Sequence, residues 1–206
     1  MTKSHFTRRT ALTAMAAAPM LAAPNLARAD LRPEEISRYF NDLRTGKAEF
    51  TQLNSDGSRS QGIFYINRPG RMRFEYTSPT NSVVVAGNTR LAIFEDGPDD
   101  RPKIYPLNQT PLWLLLKRNV DLTSNRYALG YKTTSNATIL TVQDPDKPQY
   151  GQMQLVFTEN PTTLRQWVVT TPTGERTTVI LGDIDTDVRL SRDLFDVLGL
   201  TETERD

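Results

Sequence analysis

The run Asp183-Ile184-Asp185-Thr186-Asp187 places three carboxylates at alternate positions, as the start of a calcium loop does. Such a loop also needs Gly at its sixth position and Glu at its twelfth. Val188 and Leu194 stand there, so the run reads as a solvated turn. Asp96-Gly97-Pro98-Asp99-Asp100 is a second acidic cluster, and its Gly and Pro mark it as a polar loop. The only His is His5 and there is no Cys. This removes a His general base, Ser-His and Cys-His pairs, and the usual zinc and haem ligands. Neither G-x-x-x-x-G-K-[ST] nor G-x-S-x-G occurs, so nucleotide hydrolysis and esterase chemistry lack their motifs. No catalytic residue, metal or cofactor is expected. What remains is a cation, Arg68, inside Q-G-I-F-Y-I-N-R-P-G-R-M-R-F-E-Y over Gln61–Tyr76.

That stretch reads as a hairpin. Gly62, Phe64 and Ile66 alternate with Ile63, Tyr65 and Asn67. Met72, Phe74 and Tyr76 point one way, and Arg71, Arg73 and Glu75 the other. Pro69-Gly70 suits the centre of a type II turn, in a connection looser than the tightest hairpins. Arg68 then sits at the rim of an apolar face. Held against a helix C-terminus, its guanidinium would donate to carbonyls left unpaired there.

Two helices are expected around it. Leu31–Leu43 carries Ile36, Phe40 and Leu43 as one stripe, with Pro33, Glu34 and Glu35 suited to its first turn and Gly46 as its stop. Thr110–Arg118 contains Pro111-Leu112-Trp113-Leu114-Leu115-Leu116, with Thr110 as N-cap. It is too apolar to be satisfied on one side. Strands are expected over 47–53, 82–86, 91–95, 127–133, 137–143, 151–159, 163–171 and 176–181, with a helical turn at Leu194-Phe195. Consecutive strands with short turns imply a mainly β fold, a strongly curved antiparallel sheet with short helices on its concave face.

Residues 1–29 read as an export signal. Arg8-Arg9 precedes an Ala-rich apolar run, and Ala27-Arg28-Ala29 fits a cleavage signal before Asp30. The pair and the weak hydrophobicity favour a twin-arginine signal, the alternative being a Sec signal with an incidental Arg pair. Residues 30–206 then form one domain without disulfides. Removing Lys3, Arg8, Arg9 and Arg28 leaves 21 basic against 24 acidic residues, so nothing suggests nucleic acid.

These features resemble the periplasmic outer-membrane lipoprotein carrier family, LolA. The likeness runs over about Leu31–Phe195. It rests on F-T-Q at Phe50–Gln52, G-x-F-x-x-x-R-P-G-R-M-R-F-E-Y at Gly62–Tyr76, and Y-P-L-x-x-T-P-L-x-L-L-L at Tyr105–Leu116. It implies an unclosed β-barrel with a helical lid over an apolar cavity. It also implies a periplasmic chaperone that takes acylated lipoproteins from an inner-membrane ATP-driven exporter to an outer-membrane lipoprotein receptor, as a monomer. Arg68 matches the family arginine that bonds to the lid, Met72 and Phe74 match cavity positions, and Thr110–Leu116 matches the lid helix. The expected acyl-cavity lining is Phe64, Ile66, Met72, Phe74, Tyr76, Leu112, Leu115 and Leu116, with Arg68 as lid latch.

Two other classes are weighed against the carrier. A lipid- or lipopeptide-sensing regulatory domain on the same fold would bind without transporting. A carboxylate enzyme such as a glycosidase would need two acids on the concave face, yet the alternation turns Glu75 outward.

Overall fold

The computed structural model describes residues 31–99, 101–124, 126–159 and 161–197. The signal-peptide reading of residues 1–29 lies outside them. Alternating side chains set the strands. In β1 (Thr45–Leu53), β2 (Arg59–Asn67) and β3 (Arg71–Ser78), the residues Ala48, Phe50, Phe64, Ile66, Met72 and Phe74 all face one buried side. The meander continues through β4 (Val83–Gly87), β5 (Arg90–Phe94) and β6 (Lys103–Pro106). A second meander comprises β7 (Ala128–Thr133), β8 (Thr138–Gln143), β9 (Gln152–Thr158), β10 (Thr163–Thr170) and β11 (Arg176–Leu181).

β11 pairs antiparallel with β1 and joins the two halves into one 12-stranded sheet, counting the two-residue β12 (Asp185–Thr186) on β1. The order runs from β6 at one edge, through β1 and β11, to β7 at the other. These edges do not pair, so the barrel is unclosed. The chain between them, residues 107–127, carries α2 (Trp113–Leu116) and places Leu114, Leu115, Leu116, Val120 and Leu122 in the main core. Helix α1 (Pro33–Asp42) buries Ile36 and Phe40 in the same core.

Several local expectations change. α2 has four residues where a helix over Thr110–Arg118 was expected. Thr110 does not cap it with its side chain, because the hydroxyl donates back to the Leu107 carbonyl at 2.9 Å and closes the 3-10 turn Leu107–Gln109. Gly46 does not stop α1. The helix ends at Asp42, with Leu43 N–H donating to Tyr39 O, and Gly46 lies in β1, where a Cβ would come within 3.0 Å of Ile184. β6 is exposed along its whole length, so it shows no alternation to read. Part of the Asp183–Asp187 turn is strand, since Asp185 and Thr186 pair with Lys47 and Gly46. The hairpin connection has three residues, with a cis Arg68–Pro69 bond and Gly70 at φ 78°.

The outer face of β3 is not simply a charged surface. Val83, Val85, Ala92 and Phe94 form a second, smaller core there with Val197. The C-terminal segment, with its 3-10 turn Asp193–Phe195, covers this patch. Gly87 permits the approach, because a Cβ there would lie 2.0 Å from the Phe195 carbonyl oxygen.

Candidate functional site

The concave floor is aromatic. Cross-strand pairing sets Phe64 opposite Phe74 and Ile66 opposite Met72. Phe74 stands edge-on to Phe50 at 5.1 Å and to Trp167 at 6.0 Å between ring centroids, and Phe64 lies 5.0 Å from Phe74. Tyr76 closes on Phe50 at 5.0 Å and donates its hydroxyl to Gln52 Oε1 at 2.7 Å. Burial pushes the Tyr76 phenol up to about 12, the Gln52 bond opposing this. Gly62 makes the Phe50 contact possible, since a Cβ would come within 2.9 Å of that ring and clash with the Glu75 carbonyl. Phe50, Gly62 and Trp167 belong to this floor as much as the sequence-selected residues. Phe50 lies in the F-T-Q run and Gly62 opens G-x-F, whereas Trp167 follows a bulge in β10 and no alternation marks it.

The cover consists of α1, α2 and the segment after α2. Leu115 and Leu116 are buried, and Leu112 is half-buried against the same cluster. Phe40 packs edge-on against Phe157, with Tyr39 completing a trio. Asn41 fastens the cover to itself. Its Nδ2 donates to Val120 O at 2.9 Å, and its Oδ1 accepts from Val120 N at 2.9 Å. Ser37 Oγ accepts from Leu122 N at 3.0 Å. Sequence reasoning passed over both. They lie one turn apart, each next to a stripe residue, which is the available signal.

The turn at residues 68–70 ties this cover to the sheet. Arg68 N donates to Arg44 O, just after α1, at 2.8 Å, and Gly70 N donates to Leu116 O at 2.9 Å. The Arg68 side chain donates through Nη2 to Lys117 O at 2.5 Å. Its guanidinium lies 6.0 Å from the Phe40 ring centroid. Arg68 is only 6% exposed, and its Nε is buried without a partner. Among the described residues it pairs with no carboxylate. Burial, with Arg44 nearby, lowers its pKa to about 10. It remains a cation at neutral pH.

The arrangement holds no cluster of His, Cys, Asp or Glu able to bind a metal among the described residues. Glu75 lies on the outer face, bonded to Arg73 Nε at 2.7 Å. What the site offers is an apolar surface beneath a cover that is one helical turn long at α2.

Residues 41–197 match the family model described as outer membrane lipoprotein carrier protein LolA. The chain belongs to the LolA family. It is 27% identical over 199 residues to the outer-membrane lipoprotein carrier protein of Chromohalobacter salexigens, covering 89% of this chain and 92% of that one. The protein of the same description from Coxiella burnetii is 26% identical over 171 residues, covering 79% and 80%. Among solved structures, a DUF1329 family protein from Desulfovibrio piger superposes with a TM-score of 0.51 at 10% identity, covering 82% of this chain and 96% of that one. That likeness concerns fold alone. With LolA membership, the Arg68 turn and the covered apolar floor can be read together.

Proposed function

We propose that this protein is a periplasmic carrier. It binds the acyl chains of lipoproteins between the aromatic floor and the helical cover, and moves them from an inner-membrane exporter to an outer-membrane receptor. Residues 1–29 would serve as the export signal, of twin-arginine type. The relatives named as lipoprotein carriers support this, at 26–27% identity over most of the chain. No helix among the described residues is long and apolar enough to cross a membrane. The reading is of a binding protein and not an enzyme.

The single observation that carries it is the construction of the cover. Leu114, Leu115 and Leu116 are buried against the floor, yet α2 is one turn long and is joined to the sheet turn through Leu116 O and Lys117 O. A helix this short is held by tertiary packing. Burying about ten methylenes gains roughly 8 kcal/mol, which corresponds to about micromolar binding. Displacing Leu114–Leu116 subtracts from that gain, because the wall they cover must first be uncovered. Relatching by Arg68 then favours release without ATP.

In this reading Phe64, Ile66, Met72, Phe74, Tyr76, Leu112, Leu115 and Leu116 line the acyl site, with Phe50 and Trp167, and Arg68 latches the cover. Native mass spectrometry of the protein isolated from periplasm tests it. Bound acylated protein is the expected result; a stress-signalling partner without acyl species would favour the sensor. Arg68→Leu should slow transfer of a purified lipoprotein to receptor-bearing membranes. Transfer at the wild-type rate would remove Arg68 from the mechanism.

A further inference from the structure

We propose that Arg68 recognises the carbonyl oxygen at the head of a bound acyl chain, so that the site reads acyl esters or amides and not merely hydrocarbon. This rests on the carrier reading and adds a specificity residue to it.

A guanidinium has five N–H donors in a fixed fork. In Arg68 one of them has an acceptor, the Lys117 carbonyl at 2.5 Å, while Nε is buried without any. Burying an unpaired donor on a cation is costly, and such groups in native proteins ask for an explanation. No carboxylate among the described residues answers it, and the nearby charge is another cation, Arg44. Arg68 also lies where the apolar floor ends. It stands two residues after Ile66, past Asn67, and Met72, the residue opposite Ile66, is the second residue of the next strand beyond the turn. A chain lying along Phe64, Ile66 and Met72 would bring its polar head to this position.

The cover makes the same demand. When α2 moves aside and acyl chains fill the space it leaves, Arg68 loses the Lys117 carbonyl and is a desolvated cation without an acceptor. That state is unfavourable unless the incoming ligand supplies an oxygen. An ester or amide carbonyl does so without introducing a charge into the apolar compartment. Arg68 thus exchanges a peptide carbonyl in the latched state for a cargo carbonyl in the loaded state.

The test compares two neutral lipids differing in that oxygen alone, 1,2-dioctanoylglycerol and its diether 1,2-di-O-octylglycerol. Each displaces a fluorescent apolar probe from the purified protein, with octanoate as a third ligand. The wild type should bind the diester about tenfold more tightly than the diether, the usual scale for a hydrogen bond to a charged group. Arg68→Met should bind the two equally, and Arg68→Lys should keep part of the preference. Absolute affinities in Arg68→Met carry both the lost latch and the lost carbonyl bond, whereas the diester-to-diether ratio carries only the second. Equal affinities in the wild type, or a preference that survives in Arg68→Met, would overturn the proposal whether or not the variant folds well. An Arg68-dependent gain seen with octanoate alone would overturn it in favour of a free carboxylate. Binding of both lipids without discrimination leaves the carrier reading standing, while binding of neither removes that reading and this one together.

Discussion

Arg68 and Arg73 belong to the same hairpin and are both nearly buried, at 6% and 8% exposure, yet they face opposite sides of the sheet. Each donates to the carbonyl of a segment that covers a core: Arg68 to Lys117 after α2, and Arg73 to Leu194 at 3.2 Å. Only Arg73 has a counter-ion, Glu75 at 2.7 Å, which also accepts from Tyr65. The outer seam is thus neutralised and closed, with Phe195 and Val197 seated beside it. The inner seam keeps an unpartnered donor and holds a single helical turn. In the proposed carrier the satisfied cation fixes its cover in place, whereas the unsatisfied one leaves its cover replaceable.

The comparison is easiest to break in the cores. Phe74→Glu and Phe94→Glu should each destabilise the fold by several kcal/mol, since each buries a carboxylate among apolar groups. In the folded fraction, only Phe74→Glu should abolish protection of a fluorescent fatty acid. Protection in Phe74→Glu at the wild-type level would place acyl chains elsewhere. Arg73→Met should come next, costing roughly 2 kcal/mol in denaturant unfolding through the orphaned Glu75 and Leu194 groups, with acyl affinity unchanged.

Alkaline unfolding separates the concave groups further. The Tyr76 hydroxyl has a folded pKa of about 12 against 10.0 ordinarily, so both states stay protonated below pH 10 and nothing is lost there. Between pH 10 and 12 the unfolded chain releases this proton first, and stability falls, by on the order of 3 kcal/mol at most. Tyr76→Phe should flatten that decline. Arg68 acts in the opposite direction, because burial holds its folded pKa at about 10, below that of a free guanidinium, and the unfolded chain holds the extra proton above pH 10. Removing it should steepen the decline. Near neutral pH, Arg68→Met should change stability least, within about 1 kcal/mol, as loss of a bond is offset by loss of a poorly solvated charge. A loss as large as that of Arg73→Met would make the two arginines equivalent and dissolve the comparison.

The concave half of this picture was legible because alternation and burial coincide in β2 and β3. A strand with one face in the core announces it by period. The outer core was not legible, because Val83, Val84, Val85 and Ala86 are apolar on both faces and no single side could be assigned to them. β6 was missed since an exposed edge strand has no buried face to set a pattern. The hydrogen bonds of Asn41 and Ser37 join residues 79 and 85 positions apart, and spacing along the chain does not foretell them. Arg68 stood out by its place in the hairpin, but its unpartnered Nε is a property of the packed structure alone.

Hydrogen exchange tests the replaceable cover most directly. Leu114 N donates to Pro111 O, and Leu115 N and Leu116 N donate to Leu112 O, just ahead of α2, whereas Ile63–Ile66 lie in a strand paired on both sides. Loading the protein with an acylated peptide should speed exchange at Leu114–Leu116, because the acyl chains compete for the wall this turn covers, while Ile63–Ile66 stays slow. Slower exchange at Leu114–Leu116 in the loaded protein would contradict this account and make α2 a fixed part of the core.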